Sequence, residues 1–156
     1  MQGLGAVLKS YSIELNCGKI NLFTVTNNGH IKGHIFVNLE LVGEDARRIA
    51  SGGQQVFAMH NFYPRPETGL DEEYLLESTC ALQAAGLKVL AFISGDAVRR
   101  GPLFEGLPTL EAHRNVLPSA AFVDLSQRFG VDEIFLGDPG ISEREAGFID
   151  RYCREG

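Results

Sequence analysis

The rhythm of apolar and polar positions changes along the chain. From residue 43 onward, short continuous apolar runs alternate with stretches of helical spacing. The run at Gln55-Val-Phe-Ala-Met59 predicts a buried strand over 56–62, and Leu87–Ile93 and Val131–Leu136 predict two more. Between the first two, a helix is expected over 71–85. Asp71 can cap it, Glu72 and Glu73 suit the positive end of its dipole, and Gly86 can close it. Leu70 and Leu75 sit at staple spacing, and Leu75, Leu76, Thr79, Cys80 and Leu82 form its expected apolar face. Thr109–Arg114 reads as a short helix. Pro118 opens another, with Ala121, Phe122, Leu125 and Phe129 inward and Gly130 after it. Ser142 and Glu145 form a capping box for a last helix that would bury Phe148, Ile149 and Tyr152.

Three strand–helix units in succession imply parallel strands joined by helical crossovers. The strands are apolar nearly throughout, as strands covered on both faces should be. The expected fold class is therefore α/β, a partial (β/α) TIM-type barrel, with an open parallel sheet as the alternative. Residues 1–42 read differently, as an atypical β-rich segment. Tyr11–Leu15, Asn21–Thr26 and His34–Leu41 look like strands without helices between them, and Asn27-Asn28-Gly29 signals a tight turn in a hairpin or meander. Residues 43–156 would form the central βα units. A complete barrel usually needs ~250 residues, so the 156 residues are expected to be a partial barrel or fragment.

Composition narrows the partners. The formal charge is −6, from 14 Lys and Arg against 20 Asp and Glu, which disfavours nucleic acid and anionic membrane surfaces. No apolar run is long enough to span a bilayer, and the N-terminus lacks a basic lead and a signal core, so a cytoplasmic location is expected. Cys17, Cys80 and Cys153 show no C-x-x-C pairing and read as reduced, mostly buried thiols. No P-loop, Ser-His-Asp elbow or dinucleotide fingerprint is present, and His30 and His34 lie in strand-like surroundings that do not suit a metal pair. Neither metal nor cofactor is expected.

The polar groups collect where the predicted strands end: His60 and Asn61, then Ser94 and Asp96, then Asp138. That is where a (β/α) barrel builds its site. The loop His60-Asn-Phe-Tyr-Pro-Arg-Pro-Glu-Thr-Gly69 is the most distinctive stretch. Pro64 and Pro66 restrict its backbone, so His60, Asn61, Tyr63, Arg65 and Glu67 would be held ready for a ligand.

That loop continues to Leu70. Together with Ala91-Phe-Ile93, Arg100-Gly-Pro-Leu-Phe-Glu-Gly-Leu-Pro-Thr-Leu-Glu-Ala-His-Arg114 and Phe135-Leu-Gly-Asp-Pro139, it resembles the bacterial 6-phospho-N-acetylmuramidases over about residues 40–155. The resemblance implies a TIM-type barrel followed by a smaller β-rich domain. It also implies hydrolysis of the β-1,4 bond between N-acetylglucosamine and N-acetylmuramic acid 6-phosphate in cell-wall recycling. The implied partner is a small phosphorylated amino sugar. A sugar-phosphate-binding module without catalysis is the alternative.

Glycoside hydrolysis normally uses two carboxyl groups, ~5–5.5 Å apart for retention and ~6.5–9.5 Å for inversion. Glu67, Asp96, Glu105, Glu111 and Asp138 lie on strand ends or their loops. Glu67 and Asp138 are the favoured catalytic pair, because one sits in the stiffest loop and the other ends a strand. Glu67 could instead brace Arg65, and Asp138 could serve the turn before Pro139. Arg65, Arg100 and Arg114 are candidate phosphate ligands, although Arg99 and Arg100 could also be a solvated pair. His60, Asn61 and Tyr63 offer hydrogen-bonding and stacking groups, with edge packing an equal reading for Tyr63.

Overall fold

The computed structural model describes residues 7–15, 18–27, 30–31, 35–38, 47 and 56–155. The chain divides into two compact units, residues 1–59 with 81–88 and residues 60–80 with 89–156.

In the first unit, β1 (Val7–Leu15) and β2 (Gly18–Asn27) pair antiparallel, in register from Val7 with Thr26 to Leu15 with Gly18. Both start earlier than their apolar runs predict, because a hairpin ladder extends pairing into polar positions. β3 (His30–Ile31) returns along β2, with His30 opposite Asn27. The expected reversal after Asn27 is present in this pairing, while Asn28 and Gly29 lie outside the described residues. β4 (Ile35–Asn38) departs from the meander expected here. It runs parallel to β5 (Val56–Met59), from Ile35 with Val56 to Asn38 with Met59. Phe57 and Ala58 of β5 are buried, as are Leu82 and Leu87.

The rest of the α/β pattern lies mostly in the second unit. β6 (Lys88–Ile93) and β7 (Glu133–Leu136) are parallel, with Leu90 opposite Glu133 and Ile93 opposite Leu136. Three helices follow β5, β6 and β7 in turn: α1 (Glu72–Ala84), α2 (Pro118–Gln127) and α3 (Glu143–Glu155). The core joins Leu75 of α1, Ala91 and Ile93 of β6, Leu110, and Ala121, Leu125, Phe129 and Val131. The described residues thus form a mixed α/β fold with parallel strand pairs and three helices.

The helix ends follow the predicted chemistry, with instructive departures. Asp71 Oδ1 accepts the Tyr74 N–H at 2.8 Å, capping α1. Gly86, at φ 89°, lets the chain leave it. Buried Leu75, Thr79 and Leu82 trace a narrower stripe than expected, and Leu76 and Cys80 are exposed. Leu76 follows Leu75 by one residue, a rotation of ~100° that turns it away from the stripe. Cys153 is exposed as well, so both described thiols differ from the buried state expected for them, and Cys17 lies outside the described residues.

Two side chains from other elements complete the later caps. Leu117 offers α2 no side-chain cap. Glu145 of α3 supplies it, accepting the Ser119 N–H at 3.1 Å and its hydroxyl at 2.6 Å. The box at Ser142 is therefore half formed. The Glu145 N–H reaches Ser142 Oγ at 3.3 Å, but the Ser142 N–H goes to Asp96 Oδ1 at 2.8 Å. Glu145 is the buried residue of α3, whereas Phe148, expected inside, is exposed. β7 also differs from a strand covered on both faces: Phe135 is 46% exposed, while Ile134 and Leu136 pack on the core.

Candidate functional site

The loops after β5, β6 and β7 are tied together by two carboxylates and one guanidinium. Arg114 is the first tie. Its Nε and Nη2 bond Glu111 Oε1 and Oε2, each at 2.6 Å. Nη2 also donates to the Arg65 carbonyl at 2.8 Å, and Nη1 donates to the Tyr63 and Gly106 carbonyls at 3.0 and 3.3 Å. A guanidinium has five N–H groups, and all five are used. Arg114 is only 4% exposed. It was expected to meet a phosphate; instead it fastens the β5 loop to the β6 loop and has no donor left for a ligand.

Glu111 completes this clamp. Its two oxygens also accept the N–H groups of Glu67 at 2.9 Å and Gly69 at 2.8 Å. The Arg114 hydrogen bonds hold its pKa down at about 2, with the Glu67 and Gly69 amides adding to the shift. A Cβ on Gly69 would lie 2.6 Å from Glu111 Oε2, so this approach requires glycine.

Asp138 is the second tie. It is 5% exposed and accepts three backbone N–H groups. Oδ2 takes those of Gly95 at 2.8 Å and Leu107 at 3.1 Å, and Oδ1 takes that of Arg100 at 2.9 Å. Both feet of the long β6 loop are thereby pinned to the end of β7. Val98 and Gly140 add a short antiparallel bridge between the same loops. A Cβ on Gly95 would fall 2.2 Å from the Gly140 carbonyl oxygen.

The other expected site residues divide into inner and outer sets. His60 is buried, with Nε2 3.2 Å from Thr79 Oγ1, and desolvation lowers its pKa to about 4. It therefore stays neutral within the core rather than facing a ligand. The Asn61 carbonyl accepts the Thr109 hydroxyl at 2.9 Å. Tyr63 is half-buried, and burial pushes its phenol pKa up. Asp96 caps α3 through Ser142, which lowers its pKa. Arg65, Glu67, Arg100 and Glu105 are exposed. Among the described residues, the carboxylates of Glu67 and Glu105 have no hydrogen-bond or ion-pair partner, and Glu67 does not pair with Arg65.

Among the described residues, two other than glycine have positive φ, Glu67 at 63° and Phe104 at 57°. They lie on the β5 and β6 loops respectively. Phe104 was not singled out from sequence; its signal was an adjacent apolar pair, Leu103-Phe104, next to Glu105 in a loop that also carries Arg99 and Arg100. The Ser94 hydroxyl, buried at the end of β6, has no hydrogen-bond partner among the described residues. Among the described residues no group of three His, Cys, Asp or Glu is placed to hold a metal ion, and no helix is long and apolar enough to cross a membrane.

A family described as 6-phospho-N-acetylmuramidase, N-terminal, matches residues 19–151. No curated protein matches the chain. Among solved structures, a conserved Enterococcus faecalis protein of unknown function is 39% identical with a TM-score of 0.69, over 80% of this chain and 36% of its own. An uncharacterized B. cereus protein is 27% identical with a TM-score of 0.65, over 74% of this chain and 35% of its own. The chain thus spans about a third of the length of these two relatives.

Proposed function

The chain belongs to the 6-phospho-N-acetylmuramidase N-terminal family, and on that premise we propose that it forms part of a cytoplasmic glycoside hydrolase. Its βα units would be consecutive members of a (β/α) barrel that β4 joins through its parallel pairing with β5, leaving β1, β2 and β3 as a separate antiparallel segment. The substrate would be N-acetylglucosaminyl-N-acetylmuramic acid 6-phosphate, cut at its β-1,4 bond.

One observation carries the assignment of roles: protein donors already occupy three of the five candidate carboxylates. Asp138 holds three amides, Glu111 holds Arg114 and two amides, and Asp96 caps α3. Glu67 and Glu105 remain exposed. We assign the acid–base chemistry to these two, Glu67 foremost, since its backbone is held at positive φ by the Glu111 clamp. Asp138, favoured with Glu67 from sequence, becomes a positioning residue that shapes the loop carrying Glu105. With Arg114 fully engaged, the exposed guanidiniums of Arg65 and Arg100 remain as the phosphate partners.

The test is release of N-acetylmuramic acid 6-phosphate by a full-length relative carrying the matching change. Glu67→Gln and Glu105→Gln should each lower kcat by about a hundredfold or more. Unchanged turnover in either variant removes that residue from the chemistry. The same occupancy of three carboxylates also favours a second reading, a sugar-phosphate-binding module. Calorimetric binding of N-acetylmuramic acid 6-phosphate by the 156-residue chain, without turnover, would support it.

A further inference from the structure

Phe104 sits where an aromatic ring would be least expected on packing grounds. It is 61% exposed, and Leu103 and Val98 on the same loop are exposed too. Its φ of 57° lies in the left-handed region, which L-residues other than glycine rarely adopt. The loop around it is not loose. Asp138 holds the N–H groups of Arg100 and Leu107 on either side, and the Phe104 N–H donates to the Arg100 carbonyl at 3.2 Å. Gly101 lies under the ring, and a Cβ there would come 3.1 Å from Phe104 Cζ. A braced backbone in a disfavoured conformation thus leaves a hydrophobic ring exposed on a loop whose sequence also carries exposed Arg100 and Glu105.

A pyranose ring has the complementary chemistry. Its axial C–H groups form an apolar face that covers an aromatic ring, while its hydroxyls and phosphate need polar partners at the rim. Arg100, four residues before Phe104, and Glu105, next to it in sequence, are exposed groups of that kind on the same loop. We propose that Phe104 is the sugar-stacking platform of this site, setting the plane in which the amino-sugar ring lies between Glu105 and Arg100. This rests on the reading of the chain as a protein that takes a phosphorylated amino sugar.

The positive φ supplies a clean probe. Glycine is at ease at φ 57°, so Phe104→Gly removes the ring while keeping the backbone course. Binding of N-acetylmuramic acid 6-phosphate to the full chain, measured by calorimetry, should weaken about tenfold in Phe104→Gly and in Phe104→Ala, a loss of about 1.4 kcal/mol. The chain has no tryptophan, so Phe104→Trp installs a single reporter. It should keep the affinity and show a saturable emission change with the sugar phosphate. Equal binding by wild type and Phe104→Gly, or a silent Phe104→Trp, overturns the platform while leaving the sugar-phosphate reading intact. Absence of binding by the wild-type chain overturns both.

Discussion

At the residue scale, two buried or clamped groups should print separate signatures on the pH dependence of stability. His60 has its folded pKa lowered to about 4 from 6.5, because burial disfavours the imidazolium. Above pH 6.5 both folded and unfolded chains hold it neutral. As pH falls from 6.5 towards 4 the unfolded chain takes up the proton first, so stability declines, in total by about 3 kcal/mol. Glu111 titrates lower, its pKa taken from 4.5 to about 2 mainly by Arg114. Its contribution is fully present above pH 4.5 and is lost as pH falls from there towards 2. Partial exposure of the carboxylate keeps that loss to about 2 kcal/mol. Urea unfolding between pH 7 and 2 checks both. His60→Gln should flatten the curve only in the upper window, and Glu111→Gln only in the lower one. A single slope unaffected by either change would refute the assignment.

At the element scale, most of the second unit was legible in the sequence. Strands β6 and β7 and helices α1, α2 and α3 fall where periodicity and caps put them, because these are local signals. Asp71, Pro118 and Ser142 mark helix starts within a few residues of themselves. What was not legible was set by distant partners. Asp138 bonds residues 31 to 43 positions away, and Glu111 bonds Glu67 across 44. No window of sequence reveals that a polar strand end will be spent on another loop's amides. The same limit explains Glu145, which reads as its own helix's box partner but caps α2. Glycines sharpen the contrast between a loop built by close approach and an open helix. Gly95→Ala would drive a Cβ to 2.2 Å from the Gly140 carbonyl oxygen, so thermal unfolding should show a loss of about 2 kcal/mol or more. Among the described residues, Gly147, within α3, has nothing within 4 Å of such a Cβ. Gly147→Ala should therefore raise stability by up to about 1 kcal/mol.

At the scale of the whole molecule, the family match and the strand-end loops meet at one physical question: whether the rim is rigid before any ligand arrives. Loops usually exchange their amide protons readily because water competes for them. Here the Gly95, Arg100 and Leu107 amides point at a nearly buried carboxylate, so their exchange should be slowed towards that of β6 itself. Asp138→Asn tests this with unusual resolution. One oxygen of Asp138 serves Gly95 and Leu107, and the other serves Arg100 alone. An asparagine carbonyl can replace only one oxygen, and its NH2 then faces a backbone N–H that it cannot accept. The two-bond position should keep the carbonyl. Exchange measured by NMR should then rise most at Arg100, while Gly95 and Leu107 stay protected and β6 is unchanged. Asp138→Ala should release all three. If the three amides instead exchange quickly in the wild-type chain, the rim is not preorganised, and the positioning role of Asp138 fails with it.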